Sequence, residues 1–320
     1  MRTLLSAPVH RQKGFSLVEL MVSLVLGGLI IAAVGTVYLG SRQSFRTQDA
    51  MARMQEGARY AFEAMSVDLR QVGFGCASVN TDPVDATWYN NLFKQPLLGH
   101  ESGAGLPGTV TGEIADTDAL MVLRADKARE SQLATATTTT AAHGISPGGL
   151  VVITEVFKDA TVYTASAASG TSFTLGTPLP CKTGGPAVVP SANYMLLPLS
   201  GHIYFIRNNA AGQPSLYRET LRADGTTEAQ ELVEGVEGME IKYGEDTSQA
   251  TVAECPDDGC SVDLVGGDYI DADDVTNWNR VVSVRVTLAM LTPEANVGVG
   301  GDGRIHKTFT NTIAVRNRLQ

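Results

Sequence analysis

The chain has 320 residues, of which 43% are hydrophobic, so it can bury the core of one or two folded domains and is not disordered overall. It has 24 basic and 34 acidic residues, and the resulting net charge of -10 disfavours sequence-independent electrostatic binding to nucleic-acid phosphates. We therefore expect no nucleic acid among its partners.

The amino terminus joins a short basic leader, residues 1–14, to a long apolar segment, residues 15–39. The apolar segment contains one charged side chain, Glu19, and its 25 residues are enough to cross a hydrocarbon core of about 30 Å as a helix. Because three basic residues and no acidic residue precede it, the amino end is expected to stay in the cytoplasm. The predicted topology is a single pass, with the bulk of the chain across the membrane.

A cleaved secretory signal is the first alternative for this segment, because it also has a basic start and an apolar run. The run is longer than that of a usual signal peptide, and no Ala-x-Ala site follows it. Residues 40–73 continue instead as an amphipathic helix without proline, in which apolar residues recur at three- and four-residue steps. The apolar stripe consists of Met51, Met54, Ala58, Ala61, Met65, Leu69 and Val72. We expect one helix over about 15–72, half of it in the membrane and half docked on a domain.

Glu19 needs a partner, because an acid inside an apolar helix costs about 2.5 to 3.5 kcal/mol on insertion scales. Cleavage after Gly14 would leave a free amine on Phe15, one helical turn before Glu19. That amine, or the amine of a neighbouring subunit, would neutralise the carboxylate. The simpler alternative is an acid near the membrane interface that extends toward water.

Residues 13–20, Lys-Gly-Phe-Ser-Leu-Val-Glu-Leu, resemble the class III signal of type IV pilins and type II secretion pseudopilins. The resemblance implies that prepilin peptidase cuts between Gly14 and Phe15 and methylates Phe15. It also implies that the Glu19 carboxylate pairs with a neighbour's amino terminus during assembly. The family's mid-helix proline is absent, so local unwinding would depend on the glycines at 27, 28 and 35.

Beyond residue 73 the helical pattern stops, and residues 74–320 are predicted to form a β-rich globular domain. The clearest strand is 280–291, in which Val282, Val284 and Val286 share one face. The other candidate strands are 119–124, 149–157, 161–165, 172–175, 194–198, 202–207, 215–221, 239–243 and 307–316. Residues 134–142, rich in Thr and Ala, are interpreted as a surface excursion or insertion. The predicted class is α+β, with a long amino-terminal helix packed on an antiparallel sheet.

Three carboxy-terminal blocks, 235–244, 278–286 and 309–316, occur in the order seen in PilW-type minor pilins, and residues 68–75 extend the resemblance toward the amino end. The resemblance implies a pilin fold with extra strands, and a role at the filament tip in priming type IV pilus assembly, adhesion and twitching motility. The implied partners are other minor pilins, the major pilin, a tip adhesin, prepilin peptidase and the inner-membrane assembly platform. The implied location is the inner membrane, with the bulk of the chain periplasmic, and then the filament tip at the cell surface. Residues 77–200 carry no such resemblance.

Two other functions stay open. A J-like pseudopilin of type II secretion has the same signal, and a membrane-anchored binding or enzymatic domain could carry a pilin-like helix. The sequence contains no Gly-x-Ser-x-Gly, His-Glu-x-x-His, P-loop or dinucleotide motif. The histidines, which fall in no recognisable motif, are His10, His100, His143, His202 and His306. We therefore predict that the chain is not an enzyme.

Disulfides are expected among the cysteines at 76, 181, 255 and 260, because the membrane segment suggests export. Three pairings are open. Nearness in sequence favours Cys255 with Cys260, which leaves Cys76 with Cys181. On the loop-closure argument the short ring stabilises by about 2 kcal/mol and the long one by nearly 5 kcal/mol.

An acidic stretch follows the last cysteine. Asp268, Asp271, Asp273 and Asp274 are weak candidates for calcium ligation, since calcium prefers carboxylate oxygens. The EF-hand spacing is not met, so a solvated acidic loop is the favoured interpretation and no cofactor is predicted. Trp278, next in the sequence, is interpreted as a core anchor rather than a ligand platform.

Overall fold

The computed structural model describes residues 14, 16–73, 95–103, 106, 110–143, 145, 149–155, 160–176, 178–181, 187–221, 227–246, 268–298 and 301–315. The chain divides into two compact units, Met1–Met51 and Ala52–Gln320. One helix, α1 (Leu17–Leu69), contributes to both units. The predicted α+β class, with one long amino-terminal helix and a large antiparallel sheet domain, is confirmed.

In the first unit, α1 is exposed, and from Leu17 to Leu39 it is apolar apart from a few polar residues such as Glu19. Leu17 and Ile31 are 75% and 74% exposed, and the large hydrophobic side chains between them are exposed by more than half. An 18-residue window of the helix has a mean hydropathy of 2.5 and none of it is buried. By length and composition the helix can cross a membrane. It runs without a break past Gly27, Gly28 and Gly35, so the unwinding considered at these glycines is not present.

In the second unit, the remaining part of α1 buries one stripe. Met54, Ala58, Ala61, Met65 and Leu69 are each at most 5% exposed. Val72, just past the helix, is also buried, whereas Met51 is only partly buried. The predicted apolar stripe is therefore confirmed from Met54 onward. It packs in one cluster with residues of both sheets, among them Leu120, Tyr204, Leu216, Ile241, Val286, Leu288 and Ile313.

The described strands of this unit form two antiparallel sheets. The larger sheet contains β1 (Leu97–His100), β2 (Ala119–Ala125), β3 (Ser131–Thr135), β4 (Thr138–Thr139), β5 (Leu150–Thr154), β6 (Ala160–Ser169), β7 (Ser172–Leu175), β8 (Leu179–Pro180), β9 (Met195–Asn208), β10 (Pro214–Leu221) and β11 (Thr227–Glu234). The smaller sheet contains β12 (Val236–Glu245), β13 (Val281–Leu291) and β14 (His306–Ala314), in that spatial order.

The long strand β9 organises the larger sheet. Its second half pairs with β2 on one side and β10 on the other, and β1 and β11 lie beyond them. Its first half pairs with β3 and β5, and the pairing runs on through β4, β7 and β6, so these six strands close into a ring. The ring encloses its own apolar cluster, which includes Leu133, Ile153, Tyr163, Phe173 and Leu196. Strands β3 to β7 thus form a small subdomain around the first half of β9.

Several strand predictions are corrected by this topology. The candidate strands 194–198 and 202–207 are one strand, because Ser200 and Gly201 pair with Arg124 and Leu123 of β2 and carry the ladder through the gap. Residues 134–142 lie mostly at the surface, as predicted, but they are not unstructured: the end of β3 and all of β4 lie within them, and Thr139 is buried. Five strands, β1, β3, β4, β8 and β11, were not predicted. The other candidate strands are confirmed within a few residues at their ends.

Two glycines are required by close packing in the second unit. A Cβ at Gly57 of α1 would lie 2.9 Å from Cγ1 of Val233, and a Cβ at Gly99 of β1 would lie 2.1 Å from the Tyr243 hydroxyl. Tyr243 is fully buried and packs edge-to-face on Trp278 at 4.7 Å between ring centroids. Trp278 is 8% exposed, so its predicted role as a core anchor is confirmed.

Candidate functional site

The amino-terminal residues predicted to act in processing and assembly lie at the start of α1. Glu19 occupies the first turn, where a negative charge interacts favourably with the helix dipole, and it is exposed. The Ser23 hydroxyl donates to the Glu19 backbone carbonyl at 2.8 Å, and no described side chain pairs with the Glu19 carboxylate. Phe15, whose amine is the predicted partner, lies outside the described residues. The roles of Gly14, Phe15 and Glu19 stay predictions.

A buried polar cluster joins α1 to the larger sheet. At its centre is Asp68, near the end of α1, which is 2% exposed. Its partners are Arg124 of β2 and His202 and Tyr204 of β9. We call these four residues the docking cluster. The helix is therefore held by a charged group as well as by its apolar stripe.

Both carboxylate oxygens of Asp68 accept hydrogen bonds. Nε of Arg124 donates to Oδ1 at 2.8 Å, and the Tyr204 hydroxyl donates to Oδ2 at 2.5 Å. Nδ1 of His202 also contacts Oδ2, and it must be the donor because an ionised carboxylate only accepts. Nη1 of Arg124 donates to Oε1 of Gln71 at 3.0 Å, which ties the turn after the helix to the same strand. Charge-assisted bonds of this kind are stronger than bonds between neutral groups.

Burial by itself raises the pKa of Asp68, because it penalises the charged form. The hydrogen bond and charge of His202, the hydrogen bond of Tyr204 and the charge of Arg124 oppose this and prevail, so the pKa of Asp68 lies below its ordinary value. Burial, followed by the Asp68 charge, raises the pKa of the Tyr204 hydroxyl well above its ordinary value. The carboxylate therefore stays ionised, and Tyr204 stays a neutral donor, at physiological pH.

The lowered pKa of Asp68 makes the stability of the second unit depend on pH. The contribution of Asp68 is present above the aspartate pKa of the unfolded chain, about 3.9, and is lost as pH falls through the lower native value. We expect the free energy of unfolding to fall below about pH 4 more steeply in the wild type than in Asp68→Asn. Urea unfolding of both full chains in detergent, from pH 7 to pH 2.5, measures the difference. Equal slopes in the two proteins would contradict the assignment.

The predicted cysteine and calcium residues are only partly described. Cys181 follows β8, packs against an apolar cluster and is not a free thiol, while the other three cysteines lie outside the described residues. The pairing of Cys76 with Cys181 and of Cys255 with Cys260 stays a prediction.

Two of the four acidic residues of the calcium prediction form ion pairs. Oδ1 of Asp271 lies 2.9 Å from Nζ of Lys242, and Oδ1 of Asp268 lies 3.8 Å from Nη1 of Arg285. Burial raises the pKa of Glu101, and the charges of nearby aspartates, chiefly Asp273 and Asp271, raise it further. In the part of the chain that the structure describes, no three His, Cys, Asp or Glu side chains are arranged to hold an ion. Calcium binding by Asp268, Asp271, Asp273 and Asp274 stays a weak prediction.

Comparison with known families supplies the remaining evidence. The family model for type IV pilus-assembly protein W matches residues 203–317, and the model for the prokaryotic N-terminal methylation motif matches residues 9–35. The two matches support a type IV minor pilin of the PilW type. Neither a curated protein nor a solved structure matches the chain.

The matched regions include only some of the residues discussed above. The methylation motif contains Gly14, Phe15 and Glu19, and the PilW region runs from the second half of β9 to beyond β14. The families are structural pilus proteins rather than enzymes, and they imply contact with other pilus components. Together with the exposed apolar helix, the motif supports membrane anchoring near the amino terminus. Strands β3 to β7 of the ring, and β8 beside them, lie outside both matches.

Proposed function

We propose that this PilW-type minor pilin is processed between Gly14 and Phe15, is held in the inner membrane by residues 15–39, and is inserted at the tip of a type IV pilus. There it primes assembly with other minor pilins, and in this way it supports adhesion and twitching motility. The observation that carries the proposal is the difference in side-chain exposure between the two parts of α1. From Leu17 to Leu39 the helix exposes large apolar side chains, whereas in the second unit it buries an apolar stripe and a charged cluster.

An apolar helix surface of this size needs an apolar environment, which the membrane supplies before assembly and neighbouring pilin helices supply afterwards. The basic leader supports a cytoplasmic amino end and a periplasmic globular unit. The proposed partners are the other minor pilins, the major pilin, a tip adhesin and the inner-membrane assembly platform. Prepilin peptidase acts before them.

A deletion strain complemented with the full chain tests this function. We expect few surface pili in the deletion strain, restored numbers after complementation, and immunogold label at filament tips. Normal piliation and twitching in the deletion strain would contradict the proposal. Normal pili with defective type II secretion would instead favour a J-like pseudopilin.

The processing step has a direct readout in the mass of the chain. Gly14→Leu is expected to abolish cleavage, since prepilin peptidase requires the glycine of the motif, so the mutant chain keeps residues 1–14. Gly40→Leu is the matched control, because a side chain at that helical glycine also meets open space. Intact-mass spectrometry of membrane fractions should show a methylated Phe15 start in the wild type and in Gly40→Leu only. A Met1 start in native filaments would refute the cleavage.

A further inference from the structure

Strand β14 forms one edge of the smaller sheet. It pairs with β13 over nine consecutive residue pairs, from Ser283 with Ala314 to Leu291 with His306, without a register shift. No described strand pairs with its other edge. An edge of this kind presents a row of unpaired backbone donors and acceptors to any extended chain that can reach it.

The register shows which residues face outward along that edge. The Val315 amide donates to the Val282 carbonyl at 2.8 Å, so Val315 and every second residue before it bond to β13. The backbone groups of Thr308, Thr310 and Thr312 therefore point away from β13. All three side chains are exposed.

Of the devices that normally block strand addition, the edge carries one charged lysine, Lys307. β14 contains no proline, no bulge and no acidic residue. Another exposed edge strand, β11, carries Glu228, Glu231 and Glu234, and its pairing with β10 contains a register shift. Strand β14 is thus a better template for an added strand than β11.

Charge identifies the kind of strand that fits. Residues 305–320 contain Lys307, Arg316 and Arg318 and no acidic residue, although the whole chain has a net charge of -10. Two β14 edges would pair without any opposite-charge contact, so charge does not favour pairing between copies of this chain. A neighbouring subunit with an acidic extended segment would gain main-chain hydrogen bonds and opposite-charge contacts.

We propose that the free edge of β14 accepts an acidic extended segment of another pilus subunit as an added strand. This proposal rests on the proposed function, because the added strand is supplied within the filament or tip complex. The interface consists of main-chain hydrogen bonds to Thr308, Thr310 and Thr312, and Lys307 contributes the nearby positive charge.

Hydrogen exchange at single-amide resolution tests the added strand without a mutation. The amides of residues 308, 310 and 312 are expected to exchange at least about tenfold more slowly in filaments purified from cells than in the isolated full chain in detergent. The amides of residues 309, 311 and 313 bond to β13 and should be protected in both samples. If the chain is present in filaments and the outward amides exchange equally fast, the added strand is refuted while the proposed function stands. If the chain is absent from filaments, both are overturned.

Proline substitution tests the same edge through assembly. Thr310→Pro removes an outward amide that β13 does not use, so the fold should be kept, as an unchanged urea midpoint would show. Incorporation into filaments is expected to fall at least about tenfold, and Thr310→Val, which keeps the amide, should incorporate normally. Equal incorporation of the two variants would overturn the proposal.

A photo-reactive benzophenone attached to Thr310→Cys identifies the occupant. The cross-linked peptide is expected to come from another pilus subunit and to carry a net negative charge. A cross-link to a basic segment, to a second copy of this chain or to lipid would refute the assignment.

Discussion

Replacing Asp68 with alanine is expected to lower the free energy of unfolding of the second unit by about 3 to 5 kcal/mol. The variant removes the carboxylate and leaves Arg124, whose side chain is 11% exposed, with a longer contact to Asp126 at 3.7 Å and its hydrogen bond to Gln71. It also leaves the Tyr204 hydroxyl and Nδ1 of His202 without their acceptor. Urea unfolding of the full chain in detergent at pH 7 measures the loss.

Two further variants distinguish the loss of the buried Asp68–Arg124 ion pair from the loss of any carboxylate on α1. Glu56→Ala removes an exposed carboxylate that pairs with Arg59 on the same helix, and it should leave the midpoint of unfolding unchanged within error. Asp68→Ala combined with Arg124→Met should recover part of the lost stability, because the second change removes the buried charge that has lost its closest partner. Similar midpoints for the Asp68 and Glu56 variants would show that the docking cluster does not hold the helix.

The elements found from sequence are those with a local period. The stripe from Met54 to Leu69 repeats at helical steps, and Val282, Val284 and Val286 alternate along β13. In both cases the buried face recurs within a few residues, so one window of sequence contains the evidence. The prepilin signal at residues 13–20 is equally local.

The missed strands lack such a period. Strand β11 reads Thr-Glu-Ala-Gln-Glu-Leu-Val-Glu and buries only Val233 among its residues, because it lies at the edge of the sheet. Its strand character comes from pairing with β10 rather than from its own composition. The sequence around Ser200 and Gly201 has no strand signal, so β9 was predicted as two separate strands. In the structure these two residues pair with β2 and make β9 continuous. Tertiary pairing therefore overrides the local signal in both places.

The docking cluster could not be assembled from sequence for the same reason. Asp68 was visible within the block 68–75, but its partners lie 56, 134 and 136 residues further along the chain. An acidic residue at the end of an amphipathic helix is normally solvated. One signal was available, since residue 68 falls between the buried positions 65, 69 and 72 of the helical stripe. A charge this close to an apolar face requires a partner.

Replacing Glu19 with alanine is expected to reduce incorporation into filaments by about tenfold or more while leaving membrane insertion intact. Insertion should not suffer, because the change removes an acid that costs about 2.5 to 3.5 kcal/mol in an apolar helix. Incorporation should suffer, because the amine of Phe15 created by cleavage, or that of a neighbour, loses its counter-charge in a medium of low dielectric constant. A tenfold loss corresponds to about 1.4 kcal/mol, which is less than the usual cost of breaking a buried ion pair.

The matched control for Glu19 is Ser23→Ala, one turn further along the same exposed face of α1. The Ser23 hydroxyl bonds only to the Glu19 backbone carbonyl, so its loss changes no charge. Quantitative mass spectrometry of membranes and sheared filaments gives the ratio of assembled to membrane-bound chain for each variant. Glu19→Gln keeps the shape and removes the charge, so it should behave like Glu19→Ala if charge pairing is the cause. Wild-type incorporation of Glu19→Gln together with poor incorporation of Glu19→Ala would show that shape, and not the ion pair with Phe15, is what assembly requires.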